Sequence, residues 1–379
     1  MPVSRHEPDL ALGSRVEDGP TRYEFHTADG CCAPDAFRPT ALALLEALWG
    51  ADLGALLVPE ANYGVVGCVL VGVADAVTMT ETSARAAACC ERNVAHNGVE
   101  ATVSTTARPA DPGRTFETVA YAPKPYTPVA VGKQRVANAL ATLAPGGTLY
   151  VAGSTSTGLG RYEDCLADLA GDVETVHDGD ARVVAATRPG TVDPPAFVEP
   201  REFTATVDGV DLSLVSAPGT FSAGHLDHGT RLLLETATVA DGERVLDLCC
   251  GYGPVGSYAG SVADPELWLT DDDAVSAACA ERTLAENGVD GTVVTADAVS
   301  GVADRRFDRI LSNPPTHAGD GVLADLFSGM ERVLASDGRA TVVHHRSLDL
   351  SRHFGGFRSV ETVATGEEHV VVRLSGTRS

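Results

Sequence analysis

The sequence contains an internal repeat, in which segments of the first half are similar to segments of the second half. The segment 79–99 is similar to the segment 269–289, and both end in a helical pattern that stops at Asn-Gly. A second pair, 62–67 and 251–256, has nearly the same separation. Repeats this far apart are too long for a solenoid and are typical of a duplicated domain. We therefore predict that the two halves fold alike.

Each half alternates short apolar segments with helical patterns, which predicts an α/β fold with a parallel sheet covered by helices. A proline-rich stretch separates the halves and indicates a linker. The predicted parts are a disordered polar tail (1–20), a first domain (21–187), a linker (188–200) and a second domain (201–379). In the second domain we predict strands at 244–249, 267–271, 292–296, 307–312 and 339–345, and helices at 255–262, 274–287 and 321–335.

The charge balance is strongly acidic. Asp and Glu number 52 against 28 Lys and Arg, a net charge of −24, and the only lysines are Lys124 and Lys133. Drift in a GC-rich genome replaces Lys with Arg but does not explain the acid excess, so we interpret the composition as adaptation to a salty cytoplasm. A charge of −24 ordinarily argues against a nucleic-acid substrate. High salt weakens that argument because it screens the repulsion.

Stability is therefore expected to depend on salt. At about 1 M salt the Debye length falls to roughly 3 Å, which screens the mutual repulsion of the carboxylates. Thermal melts over a KCl series should show a midpoint that rises toward molar KCl. A midpoint that is flat or falls with added KCl would contradict the halophilic interpretation.

Several classes of protein are disfavoured by the sequence. No apolar run approaches the roughly 20 residues of a spanning helix, and the first ten residues lack the apolar segment of a secretory signal. We expect a cytoplasmic protein without a membrane partner. The nine cysteines contain no pair of CxxC motifs, so no metal site is predicted, and adjacent cysteines such as Cys249-Cys250 are interpreted as small buried residues.

A glycine-rich turn follows the first predicted strand of the second domain. Gly251, Gly253 and Gly256 come after the apolar run ending near residue 249 and before a helix, which allows close approach of a ligand to the backbone. Asp271 ends the next strand, so a nicotinamide dinucleotide would also suit this pattern. A tight turn without any ligand is the third interpretation.

The run Asn313-Pro314-Pro315 directly follows the fourth predicted strand, at the edge where such sheets bind ligands. Two prolines fix the backbone and remove amide donors, which leaves carbonyl oxygens beside the side-chain amide oxygen of Asn313. Two acceptors side by side suit a planar NH2 group. A rigid loop entering a helix is the simpler alternative, but the glycine turn in the same domain favours a site.

With both motifs, the chain resembles the class I S-adenosylmethionine-dependent methyltransferases, and specifically the two-domain RNA guanine-N2 methyltransferases of the small ribosomal subunit. The stretch 218–234 resembles that family's segment before the glycine motif, and 313–317 resembles its Asn-Pro-Pro-Phe-His signature. Cys249 stands where a glycine is usual, and Thr316 replaces the aromatic that would stack on the target base. The second departure leaves the identity of the base open.

The resemblance implies two tandem Rossmann-like domains, S-adenosylmethionine as cofactor and a set of site residues. Asp271 would bind the ribose and Asp297 would lie near the adenine, while His317 would orient the base or simply begin a helix. The implied cofactor residues are Asp247, Cys249, Gly251, Gly253, Asp271, Asp297, Phe221 and Asp227. The implied catalytic residues are Asn313, Pro314, Pro315 and His317.

The first domain lacks the corresponding residues. Val58 stands at the position of Asp247 and Asn62 at that of Gly251, and the run 121–126 replaces Asn-Pro-Pro. We expect this degenerate copy to bind no cofactor, and the resemblance implies a role in RNA placement or as a cover for the second domain. Lys124, Lys133 and Arg135 are its few candidate phosphate contacts.

The function that the resemblance implies is methylation of the exocyclic N2 amine of a guanine in ribosomal RNA, with the RNA or the small subunit as partner. A protein-glutamine N5 methyltransferase would use the same acceptors, although the two-domain layout argues against it. A nicotinamide-dependent dehydrogenase would not need Asn-Pro-Pro. A non-catalytic RNA-binding protein is the last alternative, in which the fold is kept but both domains have lost their site residues.

Overall fold

The computed structural model describes residues 9–16, 19–154 and 158–378. The chain divides into two compact units with the boundary between Glu199 and Pro200. The segment that leads to this boundary packs on the first unit, where the Phe197 amide donates to the side-chain oxygen of Gln134 at 2.7 Å. The Nζ atom of Lys133 lies 5.9 Å from the centre of the Phe197 ring. Much of the predicted linker is therefore attached to the first unit.

The first unit is built on a seven-stranded sheet. Its elements are β1 (Leu10–Gly13), β2 (Arg22–Phe25), α1 (Pro39–Leu48), β3 (Ala55–Pro59), α2 (Val65–Leu70), β4 (Ala76–Glu81), α3 (Ala84–His96), β5 (Thr102–Thr105), β6 (Phe116–Tyr121), α4 (Val129–Thr142), β7 (Leu143–Gly153), α5 (Leu159–Ala170), β8 (Glu174–Asp178) and β9 (Arg182–Thr187). The strand order in the sheet is β5-β4-β3-β6-β7-β9-β8, and β1 pairs separately with β2.

The second unit repeats this arrangement. Its elements are β10 (Arg201–Val207), β11 (Val210–Ser216), α6 (His228–Thr236), β12 (Arg244–Leu248), α7 (Pro254–Val262), β13 (Glu266–Asp271), α8 (Ala274–Glu286), β14 (Thr292–Thr295), β15 (Phe307–Ser312), α9 (Asp320–Val333), β16 (Leu334–His345), β17 (Phe357–Thr365) and β18 (His369–Thr377). The order β14-β13-β12-β15-β16-β18-β17 is that of the first sheet. The prediction of two tandem α/β domains of one fold is confirmed.

All five strands and three helices predicted for the second domain are present, with ends shifted by at most two residues except in β16, which begins at Leu334 rather than at 339 because α9 ends at Val333. Helix α6, the hairpin β10–β11 and the antiparallel strands β17 and β18 were not predicted. The prediction of a disordered tail through residue 20 is wrong for residues 10–13, which form β1 and pair with β2. The apolar side chains of Leu10 and Leu12 explain this, because they pack against the core that contains Phe25.

The sheet of the second unit creates a crevice beside β12. This strand pairs in parallel with β13 on one side and with β15 on the other, so the chain winds away from it in both directions. Ligands of open α/β sheets bind at such a point, outside the carboxyl ends of the strands. Val245, Leu246 and Leu248 are fully buried and hold β12 in the core. The residues that follow β12 and β15 therefore come together at one edge.

Among the described residues, no helix is both long enough and apolar enough to cross a membrane. All nine cysteines are free thiols. Seven of them are buried, in agreement with their interpretation as small core residues, while Cys89 and Cys249 are half-buried.

Candidate functional site

The turn after β12 is left-handed at three alternate residues. Cys249, Gly251 and Gly253 have φ angles of 64°, 56° and 83°. A Cβ atom added at Gly253 would lie 3.0 Å from Ala280, so packing against α8 requires glycine there. A Cβ atom added at Gly251 would meet no atom within 4 Å, so the space beside this residue is open. Cys249 adopts a conformation that costs a non-glycine residue about 1–2 kcal/mol.

Two carboxylates hold the turn. Asp247 is 1% exposed and accepts a hydrogen bond from the Gly256 amide at 2.9 Å. Asp271 accepts from the Gly251 amide at 2.8 Å and, through its other oxygen, from the Asp273 amide at 2.9 Å. Burial raises the pKa of Asp247 to about 8 and that of Asp271 to about 7. The structure thus brings these two predicted residues to the glycine turn from adjacent strands.

The Asn313 side chain is fixed by two hydrogen bonds. Its Nδ2 atom donates to Thr230 Oγ1 at 2.9 Å and to Asp227 Oδ2 at 3.2 Å. The preceding residue, Ser312, donates to the Leu248 carbonyl at 2.7 Å and so joins the ends of β15 and β12. Because the amide nitrogen uses both hydrogens within the protein, the amide oxygen is the atom left to accept from a ligand.

The rest of the Asn-Pro-Pro loop becomes progressively more exposed. Pro314 is buried, Pro315 and Thr316 are half-buried, and His317 is exposed. Helix α9 begins only at Asp320, so His317 lies in the loop before it rather than at the helix start.

Asp227 lies beside Asn313. It is the N-cap of α6, where its Oδ2 atom accepts from the Thr230 amide at 2.9 Å. These contacts connect Asp227 to Asn313, so its role as a cofactor-binding residue stays a prediction. Thr230 was missed as a site residue. A partial signal was available, because Asp is a favoured N-cap residue and Asp227 precedes the apolar run of α6.

A tyrosine within the glycine turn tethers the preceding loop. The Tyr252 hydroxyl donates to the His225 carbonyl at 2.9 Å, and the Tyr252 ring packs edge-on against Phe203 with centroids 5.8 Å apart. His225 also pairs through its ring with the Ser222 hydroxyl at 3.0 Å. The tether holds the loop that carries Phe221, whose side chain is 56% exposed. Sequence reasoning assigned Tyr252 no role.

Asp297 is placed at the same edge of the sheet. The preceding amide, that of Ala296, donates to the Asp271 backbone carbonyl at 2.9 Å. Asp297 is half-buried and follows β14, the strand next to β13. Asp247, Asp271 and Asp297 thus lie at or just after the carboxyl ends of three neighbouring strands, whereas Phe221 and Asp227 lie in the loop before α6. Among the described residues, no group of three or more His, Cys, Asp or Glu side chains is arranged to hold a metal ion.

The first unit has the same turn filled by its own side chains. Glu60, Asn62 and Gly64 have φ angles of 50°, 56° and 89°, which matches the turn of the second unit. The Asn62 amide side chain accepts from the Cys32 amide at 3.0 Å and donates to the Cys32 carbonyl at 2.7 Å. Val58 is buried, where the second unit has Asp247. Asn62 therefore occupies space that is open beside Gly251.

A buried ion pair lies next to Asn62. Glu81, at the position of Asp271, accepts from the Asn62 amide at 2.6 Å and from Lys124 Nζ at 2.9 Å. The side chains of Lys124 and Glu81 are 7% and 0% exposed. Burial alone would lower the pKa of Lys124, but the charges of Glu81 and Glu60 raise it.

The hypothesis that Lys124 and Arg135 are phosphate contacts is wrong. Lys124 is committed to Glu81 inside the unit, and Arg135 Nη1 lies 2.5 Å from Glu60 Oε2 with only 14% of its side chain exposed. Local sequence could not reveal this, because each acidic partner lies far away along the chain. Lys133, half-buried beside Phe197, stays an untested candidate.

The carbonyls that correspond to the Asn-Pro-Pro acceptors are also occupied in the first unit. Arg38 Nη1 donates to the Ala122 carbonyl at 3.0 Å, and Nη2 of the same guanidinium donates to the Pro123 carbonyl. Ala122 stands where the second unit has Asn313. The first unit therefore has no side-chain amide oxygen at this position, and its Pro123 carbonyl already accepts from Arg38.

Comparison with known proteins agrees with the duplicated fold. A family model described as the methyltransferase small domain matches residues 22–185 and again residues 211–373. The chain is 40% identical over 154 residues to the Ribosomal RNA small subunit methyltransferase C of Actinobacillus succinogenes, which covers 38% of this chain and 46% of that protein. It is 31% identical over 210 residues to the protein of that name from Pseudoalteromonas atlantica, covering 53% and 58%. The chain spans about half the length of the curated relatives it matches.

Among solved structures, the fold is similar over its whole length to the 16S rRNA N2 methyltransferase (RsmC) of Thermus thermophilus in complex with AdoMet and guanosine. The TM-score is 0.80, and the match covers 99% of this chain and 100% of that chain at 23% sequence identity. At this identity, the similarity shows that both units share the fold of that protein.

Proposed function

Because the chain belongs to the methyltransferase small domain family, we propose that its second unit transfers a methyl group from S-adenosylmethionine to the N2 amine of a guanine in small-subunit ribosomal RNA. The observation that carries the proposal is the orientation of Asn313, whose amide nitrogen is held by Thr230 and Asp227. The names of the relatives, together with the guanosine in the Thermus thermophilus structure, support this substrate.

The residues at the crevice fit the cofactor. The open space beside Gly251 admits a ligand against the backbone, and Asp271 stands at the end of the neighbouring strand to accept ribose hydroxyls. Asp247, Cys249 and Gly253 shape the turn under the methionine part. Asp297 would lie near the adenine, and Phe221, whose ring is exposed, and Asp227 would complete the cofactor site from the loop before α6. When bound, the cofactor would supply an electrophilic methyl group on a sulfonium: its S–C bond would break as the N–C bond forms, and the extra proton on the amine nitrogen would then pass to solvent.

The acceptor loop would align the amine. One N–H of the guanine N2 amine donates to Asn313 Oδ1 and the other to the Pro314 carbonyl, which directs the nitrogen lone pair toward the methyl group. Pro315 keeps the loop rigid, and the exposed His317 is placed to orient the base. Alignment of this kind supplies effective molarity, so no strong base is needed before attack.

The test is identification of the product. Small ribosomal subunits and naked small-subunit RNA from a strain lacking the gene are incubated with the protein and cofactor at molar KCl, then digested to nucleosides for mass spectrometry. We expect one added methyl group per RNA as N2-methylguanosine. Methylation of a protein glutamine instead, or no methyl transfer to either RNA substrate, would overturn the proposal.

Cofactor binding should occur once per chain, in the second unit only, because Asn62 and Lys124 fill the first unit's turn. Calorimetry on the full chain should give a stoichiometry of one, and Asp271→Ala should remove most of that binding. Two sites per chain, or one tight site that survives Asp271→Ala, would show that the first unit is not degenerate.

A further inference from the structure

The amino end of α6 meets the Asn-Pro-Pro loop at three residues, Asp227, Thr230 and Asn313. We propose that Asp227 and Thr230 are positioning residues that hold the Asn313 amide with its oxygen toward the acceptor amine. This inference rests on the proposed function, because it assigns the oxygen to the substrate. It gives α6, which the sequence did not predict, a role in catalysis.

The hydrogen-bonding partners favour one orientation of the amide. An ionised Asp227 accepts and cannot donate. The Thr230 hydroxyl lies 3.3 Å from Asp227 Oδ2 as a donor, so its lone pair faces Asn313 at 2.9 Å. A flipped Asn313 would set its oxygen against the Asp227 carboxylate, which cannot donate, and could accept from the Thr230 hydroxyl only if that hydroxyl gave up Asp227. Thr230 is only 5% exposed, so water is poorly placed to replace its hydroxyl.

The two positioning residues are themselves held rigidly. Asp227 Oδ2 caps α6 through the Thr230 amide at 2.9 Å, and the same helix buries Leu233 and Leu234 in the core. Behind the cap, a Cβ atom added at Gly229 would lie 2.9 Å from the His369 ring. This close approach brings the start of α6 against β18. The positioning contact is therefore built on two fixed elements.

The first unit provides an internal comparison. Arg38 is the N-cap of α1, as Asp227 is of α6, and Ala122 stands at the position of Asn313. There the cap residue donates to the Ala122 carbonyl, whereas in the second unit the cap residue accepts from the amide. The unit without the amide also lacks the carboxylate that would hold it. Replacement of both Asp227 and Asn313 in the first unit, by Arg38 and Ala122, is expected if the two residues act together.

The experiment uses the full chain with Thr230→Val, which keeps the shape but removes the hydroxyl. Single-turnover methyl transfer at saturating cofactor and RNA should fall about tenfold, the effect of one lost hydrogen bond in the transition state. Cofactor affinity by calorimetry should change less than twofold. Thr230→Ser should restore the rate. Thr236→Val, in the last turn of the same helix, is the matched control and should leave the rate unchanged.

A second readout does not depend on activity. In protein labelled with 15N-asparagine, the Asn313 side-chain NH2 signals, assigned by their loss in Asn313→Ala, should exchange with solvent faster in Thr230→Val than in the wild type. If Thr230→Val transferred methyl groups at the wild-type rate and its Asn313 NH2 exchanged with solvent no faster than in the wild type, the positioning role would be overturned. A wild-type enzyme that methylates no RNA, with exchange still faster in Thr230→Val, would instead overturn the proposed function alone.

Discussion

Asn313→Ala is expected to lower the rate of methyl transfer by about 10²–10³-fold, because it removes a preorganised polar contact to the reacting amine, by analogy with loss of an oxyanion-hole donor. Cofactor affinity should be nearly unchanged, since Asn313 is proposed to face the acceptor amine. The measurement is single-turnover methylation at saturating cofactor, with the affinity measured by calorimetry. A normal rate in this variant would mean that the Asn-Pro-Pro loop is only a rigid turn.

Asp271→Ala is the paired variant. It should weaken cofactor binding first, since unpaired ribose hydroxyls cost about 1–3 kcal/mol. The variant also removes the acceptor of the Gly251 amide, so the glycine turn itself should loosen. The two variants separate the donor side of the site from the acceptor side. If both lowered only the affinity for the cofactor, the assignment of Asn313 to the acceptor would be wrong.

Lys124→Met is expected to destabilise the protein by about 3–5 kcal/mol, the usual cost of removing one partner of a buried ion pair. The reason is that Glu81 is fully buried and loses its cationic partner. Urea unfolding of the full chain at molar KCl measures the change. The matched control is Lys133→Met, which replaces the other lysine, half-buried beside Phe197, and should cost far less.

A double variant tests the cause. Lys124→Met combined with Glu81→Gln removes both charges and should recover most of the lost stability, because a neutral amide is cheaper to bury than an unpaired carboxylate. A single Lys124→Met variant that unfolds at the wild-type urea concentration would show that the ion pair is not a stabilising part of the first unit.

The sequence predicted those features that depend on local patterns. The strands before Gly251 and Asn313 follow from residues close together in the chain, and the duplication follows from such local patterns occurring twice. The orientation of the Asn313 amide could not be predicted, because its partner Thr230 lies 83 positions earlier. Lys124 was misjudged for the same reason, since its partner Glu81 is 43 positions away and nothing local marks a lysine as buried.

The filled turn of the first unit means that the two halves depend differently on metabolite supply. A ligand stabilises only the state that binds it, by an amount that grows with its concentration. In the second unit, the raised pKa values of Asp247 and Asp271 reflect carboxylates buried around an open turn. In the first unit, the side chains of Lys124 and Asn62 fill the turn permanently, so its stability does not depend on the concentration of any ligand. On the proposed function, one half of the chain keeps constant stability during cofactor starvation, while the other half gains stability only when cofactor is plentiful.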